Sequence, residues 1–165
     1  MSIVGEILAT WRRPAAPLSR LMAAGPRENR SLVILIGAGL LNFVAQLPYQ
    51  SRRAALDPDL PLQGAMGITF FVMLFILPLL AYLLAWICHV IMRAFGRQGA
   101  AHAGRLALFW AMLAITPGLL LHGLLLGLLG PEVPAVRLVG LAIFGVFLWF
   151  WGSGLRLAYF GKGKA

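Results

Sequence analysis

Four long stretches of the chain carry no formally charged residue: Ser31–Ser51, Leu60–Met92, Leu106–Pro131 and Leu138–Leu155, of 21, 33, 26 and 18 residues. A bilayer core about 30 Å thick needs about 20 apolar residues of helix. The pattern predicts an all-α fold, a polytopic membrane helix bundle with four transmembrane helices. These fall at about 31–50, 64–93, 103–130 and 137–159, inside a membrane domain covering 31–160. Ahead of them, Ile3, Val4, Ile7, Leu8 and Trp11 recur at helical spacing before Pro14. That spacing predicts a short N-terminal amphipathic helix within the 1–30 segment. Leu18, Leu21 and Met22 predict a further turn or two after Pro17.

Composition agrees with the pattern. Of 165 residues, 61% are hydrophobic and 12% charged, where a soluble domain has about 25% charged. No segment outside the runs reaches the roughly 50 residues of a small folded domain. The net charge of +9 does not point to nucleic acid, because the basic residues flank apolar runs. In such places Lys and Arg set topology and touch lipid headgroups. Cys88, the single cysteine, lies in a predicted span, so no internal disulfide can form. Met1–Thr10 contains Glu6 and lacks a basic n-region, so it does not read as a signal peptide. Arg12-Arg13 resembles a twin-arginine start. However, Pro14 and Pro17 follow, and the next apolar run waits until Ser31.

Orientation follows from the basic residues. Arg12, Arg13, Arg20, Arg27 and Arg30 precede the first span; Arg93, Arg97 and Arg105 lie between the second and third; Arg156, Lys162 and Lys164 follow the fourth. Only Arg52, Arg53 and Arg137 fall on the other side. The positive-inside rule places the eleven in the cytoplasm and the three outside. Both termini, including the basic tail 161–165, are then expected to be cytoplasmic, with the bundle in the cytoplasmic (inner) membrane. The 1–30 segment has two readings of equal weight. It lies in the interface plane, with Trp11 at the headgroup level and Arg12, Arg13 and Arg20 towards phosphate. Or it packs as an arm against the cytoplasmic face of the bundle.

Polar and helix-breaking residues mark the candidate contacts. Asn42 and Gln46 share one face of the first span, which is expected to end near Pro48-Tyr49. Such side chains usually bond another helix, and a solute path is the alternative use. Pro78 falls near the middle of the second span and Pro117 in the third run. Each removes an amide donor and is expected to bend its helix. The third run reads either as one kinked helix or as two half-helices in a re-entrant hairpin. The hairpin would send Lys162 and Lys164 outside, against the charge rule, so the kinked helix is favoured. Gly123 and Gly127 form a small-xxx-small pair that allows close approach of another helix. Trp149 and Trp151 sit deep in the aromatic last span, and Tyr159 near its basic end fits an interfacial belt.

Chemistry has little to stand on. Asp, Glu, Lys and Arg are confined to the ends of the spans and absent from their interiors, which argues against a charge-lined ion path. His89, His102 and His122 fall at different heights and cannot share one metal. No metalloprotease, P-loop, nucleophile-elbow or C-x-x-C motif is present. The expectation is no enzyme, no catalytic residue, no cofactor and no metal.

The order of features resembles a known family. Thr10-Trp11-Arg12-Arg13-Pro14 leads into the first span, and Phe95-Gly96-Arg97-Gln98-Gly99 follows the second. Ala111-Met112-Leu113-Ala114-Ile115-Thr116-Pro117 lies in the third, and Trp151-Gly152-Ser153-Gly154-Leu155-Arg156 closes the fourth. In these segments, from about Thr10 to Arg156, the chain resembles a short bacterial member of the Yip (Rab/Ypt-interacting protein) domain family. It departs from that family in three ways. The loop glycine pair is split as Gly96 and Gly99, an aromatic common before the third-helix proline is missing, and four spans stand where five are typical. The family works in eukaryotic membrane traffic and contacts small GTPases, yet no residue here marks a GTPase-binding site. The resemblance implies a polytopic scaffold or adaptor.

The expected function is a non-catalytic integral membrane scaffold, adaptor or accessory subunit of a membrane protein complex. Its expected partners are membrane lipids and other membrane proteins or further copies of itself, not nucleic acid. The alternative is a small oligomeric transporter or channel component, with Asn42, Gln46, Pro78 and Pro117 around a polar path.

Overall fold

The computed structural model describes residues 3–25, 27–57, 59–97 and 99–160. Lys162, Lys164 and the rest of the expected tail lie outside the described residues, as do Met1, Ser2, Pro26, Pro58 and Gln98. The described chain is all α-helical: α1 (Ile3–Arg12), α2 (Ala15–Ala23), α3 (Glu28–Leu56), α4 (Leu62–Phe71), a π-helical turn (Val72–Ile76), α5 (Leu77–Ala94), α6 (Ala101–Ala114), α7 (Thr116–Leu129) and α8 (Pro134–Phe160). Three units are long and apolar enough to cross a membrane: α3, the continuous rod Leu62–Ala94, and α8. The bent pair α6–α7 supplies a fourth if it acts as one span. The protein is thus membrane-embedded.

The prolines act differently from one another. Pro48 does not end the first span; α3 runs through it to Leu56. Beyond Pro48, Gln50 of α3 bonds Thr69 of α4 at 2.9 Å and Arg52 reaches α7, so the extra turns are held by neighbours. Pro78 does not break its rod either. The π turn lies just ahead of it, and the Leu77 amide reaches back five residues to the Val72 carbonyl. The wider turn takes up the crowding that a proline ring makes with the carbonyl four residues earlier. Of these three prolines, Pro117 alone breaks its helix: α6 and α7 are bent by 43° at Ile115. A bend of that size keeps the two halves running onward; a hairpin would reverse them.

The core is built around α6. Ten of its fourteen residues are buried, among them Leu106–Ala111, with Phe109 fully so. It packs against α3, α5 and α8, and α1 and α2 close over it. By contrast, only 17% of the apolar window of the Leu62–Ala94 rod and 11% of that of α8 are buried. Leu79, Leu83, Trp86, Leu141, Phe144 and Trp149 all face outward. In hydrocarbon such exposure costs nothing, because lipid tails are as apolar as leucine.

Close packing rests on glycine. A Cβ on Gly123 of α7 would lie 1.8 Å from the Ala45 carbonyl oxygen of α3, and one on Gly127 would lie 2.5 Å from Pro48. The backbones of α3 and α7 therefore touch along this seam. Gly130, at φ +91°, ends α7. Beside it, Arg52 donates to the Gly127 and Leu128 carbonyls at 3.4 and 3.1 Å, filling acceptors that a helix end leaves open.

Candidate functional site

At the break between α6 and α7, Pro117 has no amide to offer the Leu113 carbonyl. The Thr116 hydroxyl donates to that carbonyl instead, at 2.8 Å. One residue on, the Ala114 carbonyl accepts the Trp11 indole N–H at 2.9 Å. Trp11 also sets its ring edge-to-face on Phe150 of α8, with centroids 5.5 Å apart. One turn earlier, Trp110 donates to the Thr10 hydroxyl at 3.1 Å, and both residues are buried. The end of α1 is thus fastened to the middle of the third apolar segment.

Of the two readings of the 1–30 segment, the Trp11 contacts match the arm packed against the bundle: its polar atom turns inward to a helix break, and the residue stays 38% exposed. An indole N–H excluded from water bonds whichever carbonyl it can reach, and the break presents one. Arg12 and Arg13 are exposed beside it. Arg20 pairs with Glu6 at 3.1 Å, tying α2 to α1. Ile7 and Thr10 face the bundle, while Ile3, Val4 and Leu8 face out. At the same end, Arg105 of α6 pairs with Glu28 of α3, and Arg30 donates to the Leu21 carbonyl at 2.6 Å.

The histidines are separate. The His89 Nδ1 and the Tyr159 hydroxyl are 2.8 Å apart. Tyr159 is buried rather than set in an outer belt. Gly99 and Gly104 make its slot, since a Cβ on either would come within 3 Å of the ring or its oxygen. His122 of α7 lies 3.1 Å from the Val136 carbonyl of α8. His102 forms no hydrogen bond among the described residues, and no group of three His, Cys, Asp or Glu among them could hold a metal.

Of the polar pair read from the first span, neither Asn42 nor Gln46 bonds another helix among the described residues. The bond between the first two spans is made one turn later, by Gln50 with Thr69. Asn42 instead lines an apolar cavity of about 400 Å³ between α5 and α8, roofed by α6 and α7. His122 lines the same cavity; Gln46, Pro78, Gly123 and Gly127 do not. The cavity wall contains no Asp, Glu, Lys or Arg.

No protein-family model, no curated protein and no solved structure matches the chain. The likeness to the Yip family rests on the sequence segments alone.

Proposed function

We propose that the protein is a non-catalytic adaptor or accessory subunit of a membrane protein complex. One observation carries this reading: several polar side chains among the apolar helices fasten one helix to another. Trp11, Thr116, Gln50, Thr69, His89 and Tyr159 each bond to a carbonyl or to one another. The outward faces of the Leu62–Ala94 rod and α8 are broad and apolar, so lipids, another membrane protein or a second copy can lie against them. The distribution of arginine and lysine supports four spans with both termini cytoplasmic, and a bacterial inner membrane goes with the family resemblance. A Yip-type scaffold is the family reading that goes with this, and Arg12 and Arg13, exposed at the basic end, are its candidates for headgroup contact.

The cavity holding Asn42 and His122 favours a second reading, a component of a small oligomeric transporter. Purification of the whole chain in nanodiscs, with quantification of what accompanies it, separates the two. A reproducible complex at fixed stoichiometry supports the adaptor. A homo-oligomer carrying a bound solute supports transport. A lone monomer with neither refutes the adaptor reading.

A further inference from the structure

The cavity between α5 and α8 has two polar groups in an otherwise apolar wall. Asn42 comes from α3, and its amide has no hydrogen-bond partner among the described residues. His122 comes from α7. The Val136 carbonyl can only accept, so in the neutral ring the bonded Nε2 carries the proton. Nδ1 is then an acceptor with no protein donor among the described residues. Gly140 makes this pose possible, because a Cβ there would lie 2.8 Å from Nε2. The rest of the wall is Leu, Ile, Met, Phe and Ala, including Leu80, Leu84, Phe144 and Phe147. A concave apolar site with a few polar groups is the usual form of a small-molecule site.

The chemistry of an occupant follows from depth and charge. Asn42 is the middle residue of α3 (Glu28–Leu56), with about 20 Å of helix on each side. A hydrated phospholipid headgroup stays at the interface and does not reach that level. With no charged residue in the wall, an ionised group there would be left unpaired in hydrocarbon. The polar group of the occupant must therefore be neutral. It must also donate, because His122 Nδ1 can only accept. A hydroxyl donates and accepts, and so answers both the imidazole and the amide. The geometry points to a binding site for a neutral, lipid-soluble molecule carrying a hydroxyl on a long apolar tail. The tail lies along Leu80, Leu84, Phe144 and Phe147, and the hydroxyl is read by Asn42 and His122.

The test uses the full chain in nanodiscs and three photoactivatable probes with the same diazirine: hexadecanol, hexadecane and a phosphatidylcholine labelled on its acyl chain. Mass spectrometry then counts adducts on the peptides that contain Leu80, Leu84, Phe144 and Phe147. Hexadecanol should label them about three- to twentyfold more than hexadecane, the range one or two intramembrane hydrogen bonds supply. Asn42→Leu should reduce that preference severalfold while hexadecane labelling stays as in the wild type, which also shows that the groove still exists. Leu80→Trp, at the exposed lip, should reduce labelling by both single-chain probes. Equal labelling by all three probes in the wild type overturns the proposal whatever the variants do, since the groove then takes any chain. A preference that survives Asn42→Leu unchanged overturns it as well.

Discussion

Gly123→Ala should be among the most damaging single-methyl changes in this chain. The added carbon would sit 1.8 Å from the Ala45 carbonyl oxygen. Non-bonded contacts shorter than 3.0 Å essentially do not occur at a real Cβ, so α3 and α7 must separate locally by more than about 1 Å. A gap of 0.5–1 Å forfeits about a quarter to a half of each pairwise attraction. The loss is repeated along the seam, because Gly127 meets Pro48 one turn later. Overpacking of this kind costs about 1–3 kcal/mol, and the depth of the overlap puts Gly123→Ala near the upper end. Gly37→Ala is the control on α3 itself: nothing lies within 4 Å of its would-be Cβ. There the better helix propensity of alanine should stabilise by about 0.5–1 kcal/mol. Reversible unfolding in mixed micelles, titrated with a denaturing detergent, should separate the two variants by about 3 kcal/mol. Gly127→Ala on top of Gly123→Ala should cost less than it does alone, because the helices have already parted. Equal stability of Gly123→Ala and wild type would show that α3 and α7 do not meet backbone to backbone.

Trp11→Phe removes the donor to Ala114 but keeps the aromatic contact with Phe150. It should cost about 1 kcal/mol, and Trp11→Ala about 2–3 kcal/mol, in the same unfolding assay; no loss in either would deny the docking of α1. Tyr159→Phe leaves His89 without its 2.8 Å partner and should cost about 1 kcal/mol, whereas His102→Ala should stay within about 0.5 kcal/mol of wild type. Reporter fusions after Lys164 and after Leu60 should report cytoplasmic and external positions respectively, from the bias of basic residues; an external C-terminus would overturn the four-span topology. Alanine at His89 or His102 singly should leave complementation of a deletion strain intact; loss of activity with normal accumulation would contradict the adaptor reading.

The helices were legible because an apolar run of about 20 residues has few other uses. Their ends and contacts were less so. Pro48 reads as a terminator, and that hid Gln50, whose partner Thr69 lies 19 residues on across a turn. Asn42 and Gln46 carry the polarity that suggests an inter-helix bond, yet neither forms one among the described residues. Which polar pair closes depends on helix rotation, and spacing alone does not fix it. Pro117 announces a break, and Thr116 beside it announces the local repair. Nothing local to Ala114 says that its carbonyl will be met by an indole 103 residues earlier. Tyr159 looked like a belt residue because glycines at 99 and 104 shape a slot only once α6 and α8 are side by side.

The fastening of Trp11 also sets an order of events during synthesis. Ala114 leaves the ribosome 103 residues after Trp11, roughly 5–20 s later at ordinary elongation rates. Throughout that interval α1 exists without its dock, carrying Ile3, Val4, Ile7, Leu8 and Trp11 along one short helix. A helix of that kind can wait in the membrane surface until the third and fourth apolar segments have entered. The first helix made is thus among the last to find its place, and the Trp11–Ala114 bond closes only on a bundle whose bent segment is already inserted.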